Sequence, residues 1–193
     1  MDSLEIIRKY FAPGSLAIEI LVEHSTMVME MALTIAESVD HLKPDLMFIR
    51  EAAMVHDIGI VFVNEPRIGC YGRRPYICHG YLGRELLEQE GFPLHALVCE
   101  RHIGTGLSRK DIDLHKLPLP KRDMRPLSLE EKIICYADKF YSKRPGRLRA
   151  KKTIAGIRKE FEKYGVDKMK AFDEMHELFN KRPIQETDRG KEL

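Results

Sequence analysis

Six side chains capable of metal or acid–base chemistry punctuate this chain: His24, His56, Asp57, His79, His102 and Asp138. Two of them are adjacent in EAAMVHDIGI, residues 51–60, at the end of an apolar run where an unpaired imidazole or carboxylate would be costly to bury. The separations between successive groups are 32, 22, 23 and 36 residues, about one helical hairpin each. Neutral imidazole and ionised carboxylate together are the ligand set of Fe, Mn, Co, Ni or Zn. A cation would also explain how a buried Asp57 stays ionised, because it replaces the lost water. A single histidine on an apolar face is more often an ordinary core residue, and His41, His95, His115 and His176 are assigned to the core or the surface. Six such groups, each on an inward face or at an element end, point instead to one site.

The elements that must position them read as helices throughout. Ser15 caps a long helix bearing Leu16, Ile20, His24, Met27, Met31 and Ile35 at helical spacing. A second, capped by Asp45, is expected to run through LMFIREAAMVHD until Gly59 stops it. A third covers CHGYLGRELLEQE and ends at Gly91; a fourth is PLHALVCERH. The fifth, SLEEKIICYADKFYS, opens with a capping-box pattern from Ser128 to Glu131. Two more, about 150–164 and 167–180, are split by YGVD. IVFV at 60–63 is the one strand candidate. The stretches 60–76 and 104–126 are long and irregular, which in a compact helical domain often marks function, and both adjoin the histidines. The expected fold is all-α: a bundle of about five core helices with an added C-terminal helical pair. The expected organisation is an N-terminal helical extension (1–14), a metal-bearing domain (15–145), a helical appendage packed on it (146–182) and a polar tail (183–193).

Composition narrows the partners. Lys and Arg number 32 against 30 Asp and Glu, a net charge of +2 in 193 residues, so no global field draws nucleic acid or membrane. Four cysteines without a CxxC pair read as free thiols in a reducing compartment. The N-terminus shows no signal-peptide pattern and no segment reaches the ~18 apolar residues of a membrane span, so a cytoplasmic location is expected. The run KFYSKRPGRLRAKK, 139–152, holds many basic residues and no acid; it reads as a solvated linker, and specific nucleic-acid binding is not expected.

The ordered set His…His-Asp…His…His…Asp, with HDIG at 56–59, resembles the HD-domain superfamily of metal-dependent phosphohydrolases. HSTMV (24–28), HGYLGRELL (79–87), RHIGTGLS (101–108) and LSLEEKIICYADKF (127–140) look like the symmetrical diadenosine tetraphosphate hydrolases and their small-hydrolase relatives. The resemblance covers residues 15 to 145. It implies an HD-domain helical bundle. It also implies that His24, His56, Asp57 and Asp138 hold one divalent ion, and that Asp57, His79 and His102 hold a second, with Asp57 bridging. One or two ions would then activate a hydroxide that Asp57 helps orient, cleaving a phosphate ester or anhydride. The chain lacks the adjacent histidine pair and Gly-Tyr-Pro signature of the cyclic-dinucleotide branch, since Ile103 follows His102; this argues against a cyclic-di-GMP substrate.

Candidate contacts to a small phosphorylated substrate, a nucleotide by the resemblance, are Arg67, Arg73 and Arg74 in the first irregular stretch, Thr105 beside Gly104 and Gly106, and Lys139 next to Asp138. Arg73–Arg74 is the preferred pair. The same ligand order also occurs in HD-fold di-iron oxygenases, and a non-catalytic metal-stabilised sensing domain is a third reading. Self-association into a homo-oligomer stays open.

Overall fold

The computed structural model describes residues 1–180; the last two positions of the expected appendage and the whole of the expected polar tail lie outside them. The fold is all-α apart from one very short hairpin. Helix α1 (Ser3–Tyr10) is capped by Asp2, whose carboxylate accepts from the Glu5 amide, and buries Ile6 and Ile7. Helix α2 (Leu16–Ser38) is capped by Ser15 and is the longest helix among the described residues; α3 (Leu46–Val55) is capped by Asp45. These are the caps that side chains of this kind supply to orphan first-turn amides.

Helix α3 ends two residues earlier than its pattern suggests, with His56 as its C-cap. The chain then makes a 3-10 turn over Ile58–Phe62, so IVFV is not a strand. The reason lies at Gly59. A Cβ there would sit 2.0 Å from the His79 carbonyl oxygen and 2.4 Å from the Gly83 amide nitrogen. Gly59 is thus required by a backbone-to-backbone approach, not as the helix stop expected of it. The hairpin β1 (Asn64–Glu65) and β2 (Cys70–Tyr71) follows, then α4 (His79–Gln89) and α5 (Pro93–Arg101).

The second irregular stretch contains a short helix, α6 (Arg109–Leu114), with a complete capping box between Ser108 and Asp111. Helix α7 (Leu129–Asp138) has only half of one. Ser128 accepts from the Glu131 amide, but the Glu131 carboxylate takes the Leu127 amide and Arg101 instead of the cap residue. It ends at Asp138, short of the expected Ser142. Helices α8 (Ile154–Phe161) and α9 (Val166–Asn180) complete the described chain.

Two apolar clusters share α2. One joins its N-terminal half to α1, α4 and α5 through Ile7, Leu21 and Leu87; the other joins its later residues to α7, α8 and α9 through Val28, Ile134 and Phe172. Phe172 is fully buried, its ring stacked at 5.3 Å on Tyr136 of α7. His24 lies on α2 between Leu21 and Val28, where the clusters meet. No helix among the described residues is long and apolar enough to cross a membrane.

Candidate metal centre

Five helices or helix ends deliver the six predicted groups to one buried place. Asp57 is at its middle and fully buried. Its two carboxylate oxygens face different partners. Oδ2 is 3.2 Å from His24 Nε2 and 2.9 Å from His56 Nε2, while Oδ1 is 3.1 Å from His79 Nε2 and 3.3 Å from His102 Nε2. Asp138 Oδ1 joins the first side, 3.0 Å from His24 Nε2 and 3.5 Å from His56 Nε2. On the other side His79 and His102 bring their Nε2 atoms to 3.2 Å of each other. The structure therefore contains two groups able to hold a metal ion, His24–His56–Asp57–Asp138 and Asp57–His79–His102, sharing Asp57.

The rings are aimed by backbone. His56, His79 and His102 each donate Nδ1–H to the carbonyl three residues earlier, Ala53 at 2.7 Å, Tyr76 at 2.6 Å and Cys99 at 2.7 Å. Each histidine stands at a helix end, where carbonyls or turns offer a free acceptor. A ring held this way presents Nε2 to the centre, the usual outer-shell arrangement of a metal-binding histidine. This i−3 relation was readable in the sequence once the helix ends were known.

These residues fit a divalent cation. His56 Nε2 and both Asp57 oxygens are buried without a hydrogen-bond partner, although donors and acceptors surround them. Around Asp57 the groups converge without the alignment of N–H···O bonds, while His24 Nε2 is hydrogen-bonded to Asp138 Oδ1 at 3.0 Å. Donors on arms of about 2.1 Å around one ion lie about 3.0–3.4 Å apart at octahedral or tetrahedral edges; the contacts above match that spacing. The two buried carboxylates draw positive charge into the site. Burial alone would lower the His56 imidazole, yet the neighbouring carboxylates of Asp57 and Asp138 raise it to about 9. Burial of Asp57 is outweighed by His56 and Lys143, which hold its carboxyl well below the usual range; burial of Asp138 is likewise outweighed, chiefly by Lys139. Burial pushes His102 down to about 4, keeping it the neutral ligand that metals need.

The predicted substrate contacts are dispersed. Lys139 folds back on the centre, its Nζ 2.6 Å from Asp138 Oδ2 and 2.9 Å from the His102 carbonyl oxygen. Thr105 is buried and its hydroxyl donates to the Lys168 carbonyl of α9 at 3.4 Å. Arg67 is exposed and bound through two nitrogens to Glu65. Arg73 and Arg74 are exposed, their backbone amides both donating to the Phe62 carbonyl.

Two residues escaped sequence reasoning. Lys143 places Nζ 2.5 Å from Asp57 Oδ2, and burial, which would lower its pKa, is overcome by Asp57, which raises it. Tyr76 packs against His79 with ring centroids 4.6 Å apart and planes tilted by 43°, and burial pushes its hydroxyl up to about 12. Lys143 lies within the basic run read as solvent-facing, and charge alone did not single it out from its neighbours.

Known proteins resemble this chain at several levels. An uncharacterised protein of Methanocaldococcus jannaschii is 35% identical over 127 residues, 64% of this chain and 68% of its own. A tRNA (cytidine(56)-2'-O)-methyltransferase of Thermoplasma volcanium is 27% identical over 81% of this chain and 40% of its own, and that of Picrophilus torridus 28% over 64% and 32%. The chain thus spans about two fifths and one third of those two enzymes. In fold it is similar to the crystallised HD domain of the L. monocytogenes phosphodiesterase PgpH, with TM-score 0.52 and 16% identity over 90% of this chain and 94% of that one. The complex of that domain with cyclic-di-AMP gives 0.51 and 17%, covering 96% and 100%. The HD domain family matches residues 21–142, a span that includes all six metal-capable side chains, and the chain belongs to that family.

Proposed function

We propose that this protein is a metal-dependent phosphohydrolase, acting on an ester or anhydride of a small phosphorylated compound, a nucleotide or dinucleoside polyphosphate. The observation that carries the reading is the split of Asp57, with Oδ2 toward His24 and His56 and Oδ1 toward His79 and His102. In this reading His24, His56, Asp57 and Asp138 hold one divalent ion, Asp57, His79 and His102 a second, and residues 15–145 form the catalytic domain with the described part of the appendage, 146–180, packed on it. Fe, Mn, Co, Ni or Zn all suit the donors. Bound divalent ions supply Lewis acidity toward phosphoryl oxygens and lower the pKa of water toward neutrality.

The chain's own residues do the rest. Asp57 fixes the relation between the two groups of histidines, and the carbonyls of Ala53, Tyr76 and Cys99 hold the rings against rotation. Lys139 keeps Asp138 oriented through its second oxygen. Arg73 and Arg74, free of side-chain ion pairs among the described residues, are candidates to meet the outermost part of a substrate, with Arg67 nearer the centre, whereas the Thr105 hydroxyl is engaged by the Lys168 carbonyl. Motif context around His79, His102 and Asp138 supports the symmetrical diadenosine tetraphosphate hydrolase subgroup. The test is product formation, nucleoside phosphates or free phosphate separated by chromatography, from nucleotides and dinucleotides by protein of measured metal content. Turnover that disappears in Asp57→Ala supports the reading. O₂ consumption with a mixed-valence di-iron signal and intact phosphate esters would replace it with the oxygenase.

A further inference from the structure

A cavity of about 780 Å³ opens beside the metal centre, lined among others by Glu65, Arg67, Tyr76, Lys143 and Arg144. That volume lies in the range that holds ligands much larger than a free phosphate. Two of its residues belong equally to the centre. Tyr76 fixes His79 through its carbonyl and packs on the imidazole, and Lys143 reaches Asp57 Oδ2 while its Nζ stands 6.0 Å from the Tyr76 ring centroid. Together they form the wall between cavity and metal ligands.

The position of Lys143 is built in. The loop that carries it is closed at its base by the Lys152 amide donating to the Phe140 carbonyl at 2.8 Å. Arg149 also meets Glu23, the neighbour of His24, at 2.8 Å in an exposed ion pair. Charge then suggests the occupant. Lys139 and Lys143 offset Asp57 and Asp138, so a bound divalent ion leaves positive charge that an anion at the centre would neutralise. Further out, the cavity presents Arg67, shared with Glu65, and the exposed Arg144. Three cations, Lys143 at the metal side and the exposed Arg67 and Arg144, thus stand around the cavity against one carboxylate, Glu65, matching a ligand with linked phosphates instead of one.

We propose that Lys143 is a substrate-positioning residue that holds the reacting phosphoryl group from the cavity side, and that Arg67 and Arg144 take the next phosphate, selecting phosphoanhydrides over phosphomonoesters. This rests on the hydrolase reading and names its substrate class. Diadenosine tetraphosphate and p-nitrophenyl phosphate serve as probes, with the exposed Lys110→Met as a charge control. With metal supplied at saturating concentration, Lys143→Met should still fill the centre while kcat/KM for the dinucleotide falls about 100-fold, and Lys143→Arg should recover part of it. Arg67→Ala/Arg144→Ala should lower the selectivity ratio, dinucleotide over p-nitrophenyl phosphate, about tenfold through KM. Loss of metal in Lys143→Met, or an unchanged ratio in the double variant, would overturn the proposal. If the wild type hydrolyses neither probe, the hydrolase reading fails by itself. Binding of a methylene analogue of the dinucleotide then decides the cavity: affinity about tenfold weaker in Lys143→Met supports it, and equal or absent binding ends it.

Discussion

At the scale of single residues, Asp57 bears more of the site than any other group, because four imidazoles approach its two oxygens. Replacing even an outer-shell partner of a metal ligand typically costs 10–100-fold in affinity, so loss of this carboxylate should cost more. Asp57→Asn is expected to lower metal affinity at least about 100-fold, read by metal analysis after dialysis; wild-type metal content in that variant would remove Asp57 from the centre. The three histidines with carbonyl-bound Nδ1 are a different case from His24. Its Nδ1 is buried without a partner, so its ring is held by packing and by Nε2 alone. In the proposed centre, His24 is therefore the group whose ring orientation depends on its packing neighbours and not on a backbone carbonyl.

At the scale of elements, the distance between the turn at 58–62 and α4 sets the distance between Asp57 and His79. That spacing depends on Gly59 meeting the backbone of His79 and Gly83 with no Cβ between them. Gly59→Ala has no flexible side-chain atom to displace, only backbone, and overpacking of this kind costs about 1–3 kcal/mol. Thermal unfolding should drop by several degrees, on the scale of about 2–4 °C per kcal/mol for a chain of this size, with metal affinity falling in parallel. An unchanged melting point would mean the turn relaxes freely. The N-cap of α7 provides a second check. Ser128 alone satisfies the Glu131 amide, and Ser128→Ala should cost about 1 kcal/mol of stability in denaturant unfolding without changing metal content.

At the scale of the whole molecule, the C-terminal helices brace the loop that follows His102. Lys168 of α9 donates to the Gly106 carbonyl at 3.1 Å and pairs with Asp111 at 2.5 Å, and Phe172 fills the core beneath. Burial of Asp111 would raise its carboxyl, but Lys168 and Ser108 outweigh this and bring it down to about 2. A depressed carboxyl binds fewer protons folded than unfolded, so its stabilisation is present above about pH 4 and is lost as pH falls toward 2. Asp111→Asn should flatten the acid dependence of stability across that window and cost on the order of 1 kcal/mol at neutral pH, measured by melting against pH. Phe172→Ala should cost about 3–5 kcal/mol, since the cavity is enclosed by Tyr136, Phe140 and Phe161.

Much of this was legible before any coordinates. The six metal-capable residues and the caps at Ser15, Asp45 and Ser128 are local signals, because a cap bonds within three residues and the HDIG motif carries its own context. What the sequence could not decide depends on groups far apart in the chain. The end of α3 at Val55 and the need for Gly59 follow from α4 pressing on the turn; Glu131 leaves its capping box because Arg101 lies across from it. Lys143 is one basic residue among several until the loop closes over Asp57, 86 positions earlier in the chain. Residue type and local hydrogen bonding announced the donors and the helix starts. Only tertiary packing divided the two oxygens of Asp57 between two sets of histidines, because side-chain direction is set by the neighbours that crowd it.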